Sequence, residues 1–215
     1  MSTAVEPLSA DELVIRPISP ADKDGLSEKF DRLSEESRYR RFLSPHPSLS
    51  AAELRYFTEV DHHDHEALVA VDPRLRAGVG IARYIRSRED PKSAELAVAV
   101  VDDWQGKGVG TRLASALVER AHEEGIGDFT AFVLAENDAM FSLANEVGDV
   151  RVLNRDRGTV ELAIELHDTG PGRLIRLLRA VASGQLRPTP RRGMPPLRRP
   201  SPPRHQSVQR SARTR

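Results

Sequence analysis

The chain has 215 residues, 39% hydrophobic and 30% charged, with 32 basic and 32 acidic side chains and no cysteine. That length suits one ordinary domain plus appendages. The composition excludes disulfides, a thiolate nucleophile and cysteine-built zinc sites, and it fits a cytoplasmic protein.

The acidic, small-polar residues 1–12 contain no apolar stretch and do not read as a signal peptide. Leu13-Val14-Ile15-Arg16-Pro17-Ile18 reads as a first strand, with Pro17 at its edge or end. Ser19-Pro20-Ala21-Asp22 opens a helix that runs to about Leu33, with Ser19 as N-cap and Pro20 in the first position. Residues 34–42 form a second helical piece, broken by Ser44-Pro45-His46-Pro47. Ser50-Ala51-Ala52-Glu53 is a capping box; its helix buries Leu54 and Phe57, with Tyr56 a further candidate. Residues 66–72 and 77–85 form a hairpin, and a charged loop over 86–92 leads on. Residues 96–101, the longest apolar run, are too few for a membrane span of roughly 20 residues and read as a strand. Val109, Leu113, Ala116, Leu117 and Ala121 then recur at helical spacing. Residues 128–134 are a strand rich in β formers. Glu136-Asn137-Asp138-Ala139 starts a helix that buries Met140, Leu143 and Val147 and is capped by Gly148. Residues 149–153 and 159–166 form a closing hairpin, whose last strand alternates strictly and so keeps one face wet.

The strand at 96–101 and the helix from Val109 are joined by Asp102-Asp103-Trp104-Gln105-Gly106-Lys107-Gly108. Gly106, Gly108 and Gly110 let a ligand approach the backbone closely. The unpaired N–H groups opening a helix, and its dipole, favour an anion such as phosphate. Lys107 and Arg112 add positive charge. A Walker loop would need Ser or Thr after Gly106-Lys107, where Gly108 stands, and a Rossmann fingerprint would need a third glycine beyond Arg112-Leu113.

Gln105-Gly106-Lys107-Gly108-Val109-Gly110 does match Gln/Arg-x-x-Gly-x-Gly/Ala, and it resembles the acyl-CoA pyrophosphate loop of the GNAT acetyltransferase superfamily. The element order over roughly 12–167 fits that fold, a mixed α/β sheet covered by helices. Three further stretches resemble bacterial Pat-type protein-lysine acetyltransferases: residues 57–65, Gly80-Ile81-Ala82-Arg83-Tyr84-Ile85-Arg86, and Ser93-Ala94-Glu95-Leu96-Ala97. The resemblance implies acetyl-CoA as co-substrate and a protein lysine as acceptor. It places Gln105, Gly106, Lys107, Gly108, Val109, Gly110 and Thr111 on the pyrophosphate. Backbone amides of Val100 and Val101 would meet the pantetheine arm and the thioester carbonyl, and Asn137 would touch that arm, although Asn137 also reads as a plain N-cap. Many superfamily members carry a tyrosine seven residues after that asparagine as general acid; Ala144 stands here. Either water protonates the leaving thiolate or no acid is required.

A lysine amine has a reference pKa of about 10.4, so a base is useful. Glu95 is the candidate: it is the one charged side chain in 94–101, an apolar setting that should raise its pKa, and the Pat resemblance puts a catalytic glutamate there. The alternative is an exposed strand-end glutamate. Asp61-His62-His63-Asp64-His65 holds zinc-type ligands, but five consecutive residues do not easily converge on one ion, and no metal is expected. His63 or His65 reads instead as a substrate contact or secondary base.

Residues 168–215 carry twelve arginines and one aspartate, with no lysine or glutamate, so a +11 tail follows a −11 body. Residues 168–184 read as a short basic amphipathic helix and 185–215 as a disordered Arg/Pro-rich tail. Nucleic acid, an anionic surface or the acidic body are its candidate partners. Residues 1–11 complete the division as a flexible N-terminus.

Overall fold

The structure is a computed structural model that describes residues 8–167; the expected basic helix and tail lie outside the described residues. Contacts divide the chain into Met1–Arg176 and Leu177–Arg215, and every described residue belongs to the first unit.

The strands are β1 (Val14–Pro17), β2 (His65–Asp72), β3 (Ala77–Arg86), β4 (Ser93–Val100), β5 (Asp128–Leu134), β6 (Gly148–Asp156) and β7 (Thr159–Leu166). They form one sheet in the order β1-β2-β3-β4-β5-β7-β6. Every neighbouring pair is antiparallel except β4 and β5, which run parallel and are joined through α4 (Val109–Glu123). The other helices are α1 (Lys23–Asp31), α2 (Glu35–Phe42), α3 (Ala51–Thr58) and α5 (Asp138–Val147).

Strand alternation separates two apolar layers. Leu68, Ala70, Ala82, Ala94 and Leu96 face the main core with Leu113, Leu117 and Ala121 of α4 and Leu143 and Val147 of α5. Ala67 and Val69 face the opposite way and cluster with Ile18, while Ile81 packs against them. Leu113 and Leu117 are fully buried, worth about 1.5–3 kcal/mol each.

Four details depart from the sequence expectations. The first helix starts at Lys23, because Asp22 accepts from the Ser19 N–H at 2.8 Å and takes both Arg16 nitrogens, closing a 3-10 turn over Pro20–Asp22. Tyr56 is 52% exposed on α3. The apolar strand ends one residue early, at Val100, since a 3-10 turn over Asp102–Trp104 follows. Gly148 ends α5 as expected, its N–H donating to the Ala144 oxygen, but in an extended rather than left-handed conformation: its φ is −172°, it opens β6, and a Cβ there would clash with the Glu165 carbonyl oxygen. At the other end of this hairpin, Arg157 and Gly158 both take positive φ, the geometry that suits a two-residue turn between twisted strands.

Candidate active site

β4 and β5 stay paired only through Ser93↔Asp128, Ala94↔Phe129 and Glu95↔Thr130. Beyond that pair the strands part, leaving the facing backbone edges from Leu96 and Ala131 onward without a strand between them. The gap is a cleft of about 590 Å³ lined by β4, β5, α2, the glycine loop and α5.

The loop end of the cleft has the features of an anion site. Gly108 precedes α4 at φ +81°, a conformation that side chains with a Cβ adopt at a cost. The first backbone bond of α4 runs from the Arg112 N–H to the Gly108 oxygen, at 3.1 Å. The N–H groups of Val109, Gly110 and Thr111 therefore have no partner within the helix, and they stand at its positive end. A hydrogen-bonded cluster holds the loop in place: the Gln105 side-chain amide lies 3.0 Å from Ser37 Oγ, 3.1 Å from the Val100 oxygen and 2.9 Å from Asp102 Oδ1. Asp102 also accepts from the Ser34 N–H at 2.8 Å, which ties the start of α2 to the loop.

The GNAT acetyltransferase domain model matches residues 12–150. The chain belongs to the GNAT acetyltransferase family. It is 34% identical over 152 residues to the acetyltransferase Pat of Mycolicibacterium smegmatis, a match that covers 71% of this chain and 45% of that one. It is 32% identical over 150 residues to an acetyltransferase of Pseudomonas aeruginosa, covering 68% of this chain and 80% of that one. Among solved structures, the GNAT domain of the S. lividans PAT superposes with a TM-score of 0.66 at 31% identity, over 72% of this chain and 90% of that one. The chain spans less than half the length of its mycobacterial relative.

Within this GNAT domain, Glu95, Val100, Gln105, Gly106, Gly108, Gly110, Thr111 and Asn137 all line the cleft. Three expected contacts do not. The Val101 N–H donates to the Val79 oxygen at 3.0 Å, so the sheet already uses that amide. The Val109 side chain is buried in the core, which leaves only its backbone to serve the loop. The Lys107 ammonium sits 5.4 Å over the Trp104 ring. Arg112 is also committed elsewhere, to the Ala10 and Leu13 oxygens of the N-terminal segment, so residues up to 11 are not all free of the domain. Asn137 does cap α5, its side-chain oxygen accepting from the Met140 N–H at 3.2 Å, and its amino group stays available to a ligand.

Glu95 is exposed at the fork where the strands part, so the burial expected from its apolar neighbours is absent. Strand alternation turns it, with Ala97 and Ala99, to the α1–α3 face of the sheet. Arg41 and Phe42 of α2, which the sequence reading did not single out, line the same cleft. Ala144 is fully buried, and no tyrosine lines the cleft.

The histidine string is used up locally. Asp61 accepts from the N–H groups of His63 and His65 at 2.9 and 2.8 Å, and His62 Nδ1 lies 2.7 Å from buried Glu66. His63 meets Glu124, and His65 Nε2 lies 3.0 Å from an Arg83 nitrogen. Among the described residues no cluster of three or more His, Asp or Glu side chains is placed to hold a metal. Among them, too, no helix is long and apolar enough to cross a membrane.

Proposed function

We propose that this GNAT domain moves an acetyl group from acetyl-CoA directly to a primary amine, with a protein lysine as acceptor. The observation that carries the proposal is the forked cleft, which joins an anion-binding helix N-terminus at one end to Glu95 at the other. The pyrophosphate belongs at Gly106, Gly108 and the N–H groups of Val109, Gly110 and Thr111. The amide-bearing pantetheine arm belongs along the unpaired edge of β4, beside Val100 and Asn137. The thioester then lies near the fork. The amine attacks its carbonyl carbon, Glu95 takes the amine proton, and the C–S bond breaks to release the thiolate. No cysteine is present to carry an acyl intermediate, which favours direct transfer within one ternary complex.

Membership of the family supports acetyl-CoA as co-substrate. The stretches 57–65, 80–86 and 93–97, which resemble Pat-type protein-lysine acetyltransferases, support the lysine reading. We assign the catalytic unit to residues 12–167 and, on the cysteine-free composition, a cytoplasmic location. The arginine-rich residues 168–215 offer charge for a nucleic acid or another anionic surface. Incubation with radiolabelled acetyl-CoA and a cell lysate tests the proposal. Label on protein lysines is the expected result. Label on small amines alone would reassign the acceptor, and binding without turnover would leave an acetyl-CoA-sensing module.

A further inference from the structure

A second cavity, of about 550 Å³, lies on the Glu95 side of the sheet beneath α1 to α3. It shares Leu33, Arg41, Phe42 and Ala99 with the cofactor cleft, so the two spaces meet at one wall. An acceptor reaching the fork from this side passes Arg41 and Arg83.

Arg83 is the unusual residue. It sits on β3 at 4% exposure and lines the cavity. Its guanidinium lies 4.5 Å over the Phe57 ring, donates to the Phe57 oxygen at 3.3 Å and reaches His65 Nε2 at 3.0 Å. None of these partners carries a negative charge. Burial and the Arg83 charge hold the His65 imidazole down to about 4, so it is neutral at pH 7. Arg41 stands nearby with its guanidinium 4.9 Å over the Phe42 ring, and it makes no hydrogen bond or ion pair with any described residue. Burial, and then the Arg41 charge, pull Arg83 down to about 9, which leaves it cationic at pH 7. Two other buried or half-buried charges do have charged partners: Glu66 has Arg120 and His62, and Asp22 has Arg16. A buried cation without a counter-charge is costly. Arg83 is such a cation; Arg41 beside it is half-buried and feels the Glu95 carboxylate without forming an ion pair with it, and with most of their ten N–H donors unused the two make a carboxylate cradle.

We propose that Arg41 and Arg83 form an anion subsite for the acceptor, so that the preferred substrate is an amine with a carboxylate close by. The inference rests on the acetyl-transfer reading and adds a substrate class to it. The carboxylate docks on the two guanidiniums and leaves the amine at the wall shared with the cofactor cleft, toward Glu95. The same chemistry is offered by a small amino acid and by a protein lysine flanked by acidic residues.

Two matched pairs of acceptors test this: an α-amino acid against its amide, and a lysine peptide flanked by glutamates against the same peptide flanked by glutamines. The carboxylate member of at least one pair should be preferred by about tenfold to a hundredfold in kcat/KM. Arg41→Gln and Arg83→Gln should each bring that ratio towards one by raising KM for the carboxylate member, and Arg83→Lys should restore part of it. Preference within the amino-acid pair assigns a small-molecule acceptor; preference within the peptide pair assigns an acidic protein site. Ratios near one for both pairs, or ratios that survive both glutamine variants, overturn the subsite. Should no amine be acetylated, the transfer reading fails, and calorimetric titration with succinate reads the subsite by itself. Saturable binding lost in the double variant supports the subsite, and its absence from the wild-type chain overturns it. Folding is controlled by Arg83→Met, whose Tm should equal or exceed that of wild type because an uncompensated buried charge is gone. A Tm lower by many degrees, with the acceptor ratio intact in Arg41→Gln, would make Arg83 a structural residue.

Discussion

Glu95 of β4 lies in register with Thr130 of β5, and this is the last pair at which the two parallel strands touch. Geometry alone therefore puts a carboxylate where the sheet opens. Ala94, one residue earlier, is buried under α4, and Leu96, one residue later, is buried again. A one-residue slip of β4 would send the carboxylate into the core. β3 prevents that slip, because it pairs with β4 from Arg86↔Ala94 to Gly80↔Val100.

The loop assignment predicts a loss of cofactor affinity. Gly108→Val places a branched side chain at φ +81°, beside the N–H groups that open α4. Strain at that φ should cost about 1–2 kcal/mol of stability. Acetyl-CoA affinity of the folded variant should fall about tenfold or more, equal to about 1.4 kcal/mol. Calorimetry on folded protein decides, and an unchanged Kd would remove the loop from the cofactor site.

Gly148 predicts a purely structural effect. A Cβ there meets the Glu165 carbonyl oxygen at 2.4 Å and Ile164 at 2.7 Å, and the backbone oxygen has no room to retreat. Gly148→Ala should cost about 1–3 kcal/mol or more, as overpacking does. Gly127→Ala, with nothing within 4 Å of its Cβ, is the control and should stay near wild type in denaturant melts.

The glycines show how much of the fold and the site was legible. Gly106, Gly108 and Gly110 announced a close-approach loop, because the spacing of small residues between a strand and a helix is local information. Gly148 does end α5, as the sequence reading has it, but the steric need for glycine there lies in Glu165, on a partner strand far along the chain. The same limit hid Arg41. Nothing in the run Ser37-Arg38-Tyr39-Arg40-Arg41 distinguishes it from its neighbours, and only the packing of α2 over β4 brings it to the cleft. Val101 and Lys107 were expected at the cofactor through family resemblance; a 3-10 turn and a β3 carbonyl direct the Val101 amide elsewhere.

Stability should fall on the acid side through His65. Its folded-state pKa of about 4 lies below the ordinary 6.5, with burial the first cause and Arg83 the second. The unfolded chain therefore binds the extra proton first. This contribution is fully present above pH 6.5 and drains away as pH falls towards 4. Thermal melts across that window should show a declining Tm, with a shallower decline in His65→Gln, which keeps an acceptor for Arg83. An identical slope in both proteins would assign the acid limb to other groups.

Removal of residues 168–215 takes away a formal +11 and spares every element described above. Turnover on a peptide or small amine should persist, while any binding to nucleic acid should drop with the lost arginines and lose its salt dependence. An unfolded truncation product, seen by circular dichroism, would show that the catalytic unit extends past residue 167.

The role of Glu95 can be separated from its position. Glu95→Gln keeps the size and hydrogen-bonding capacity of the side chain but cannot take a proton from the amine. General-base catalysis is worth about 10² to 10⁴ in rate, so turnover near neutral pH should fall by that range while acetyl-CoA binding stays intact. The deficit should narrow as pH rises, because more of the acceptor then arrives as free amine. The side chain is exposed rather than packed, so the substitution leaves the strand and its register undisturbed. A variant with wild-type turnover at neutral pH would make Glu95 a bystander at the fork. A variant dead at every pH, with weakened cofactor binding, would mean that Glu95 shapes the cleft instead of accepting the proton. The slope of log kcat/KM against pH distinguishes these outcomes.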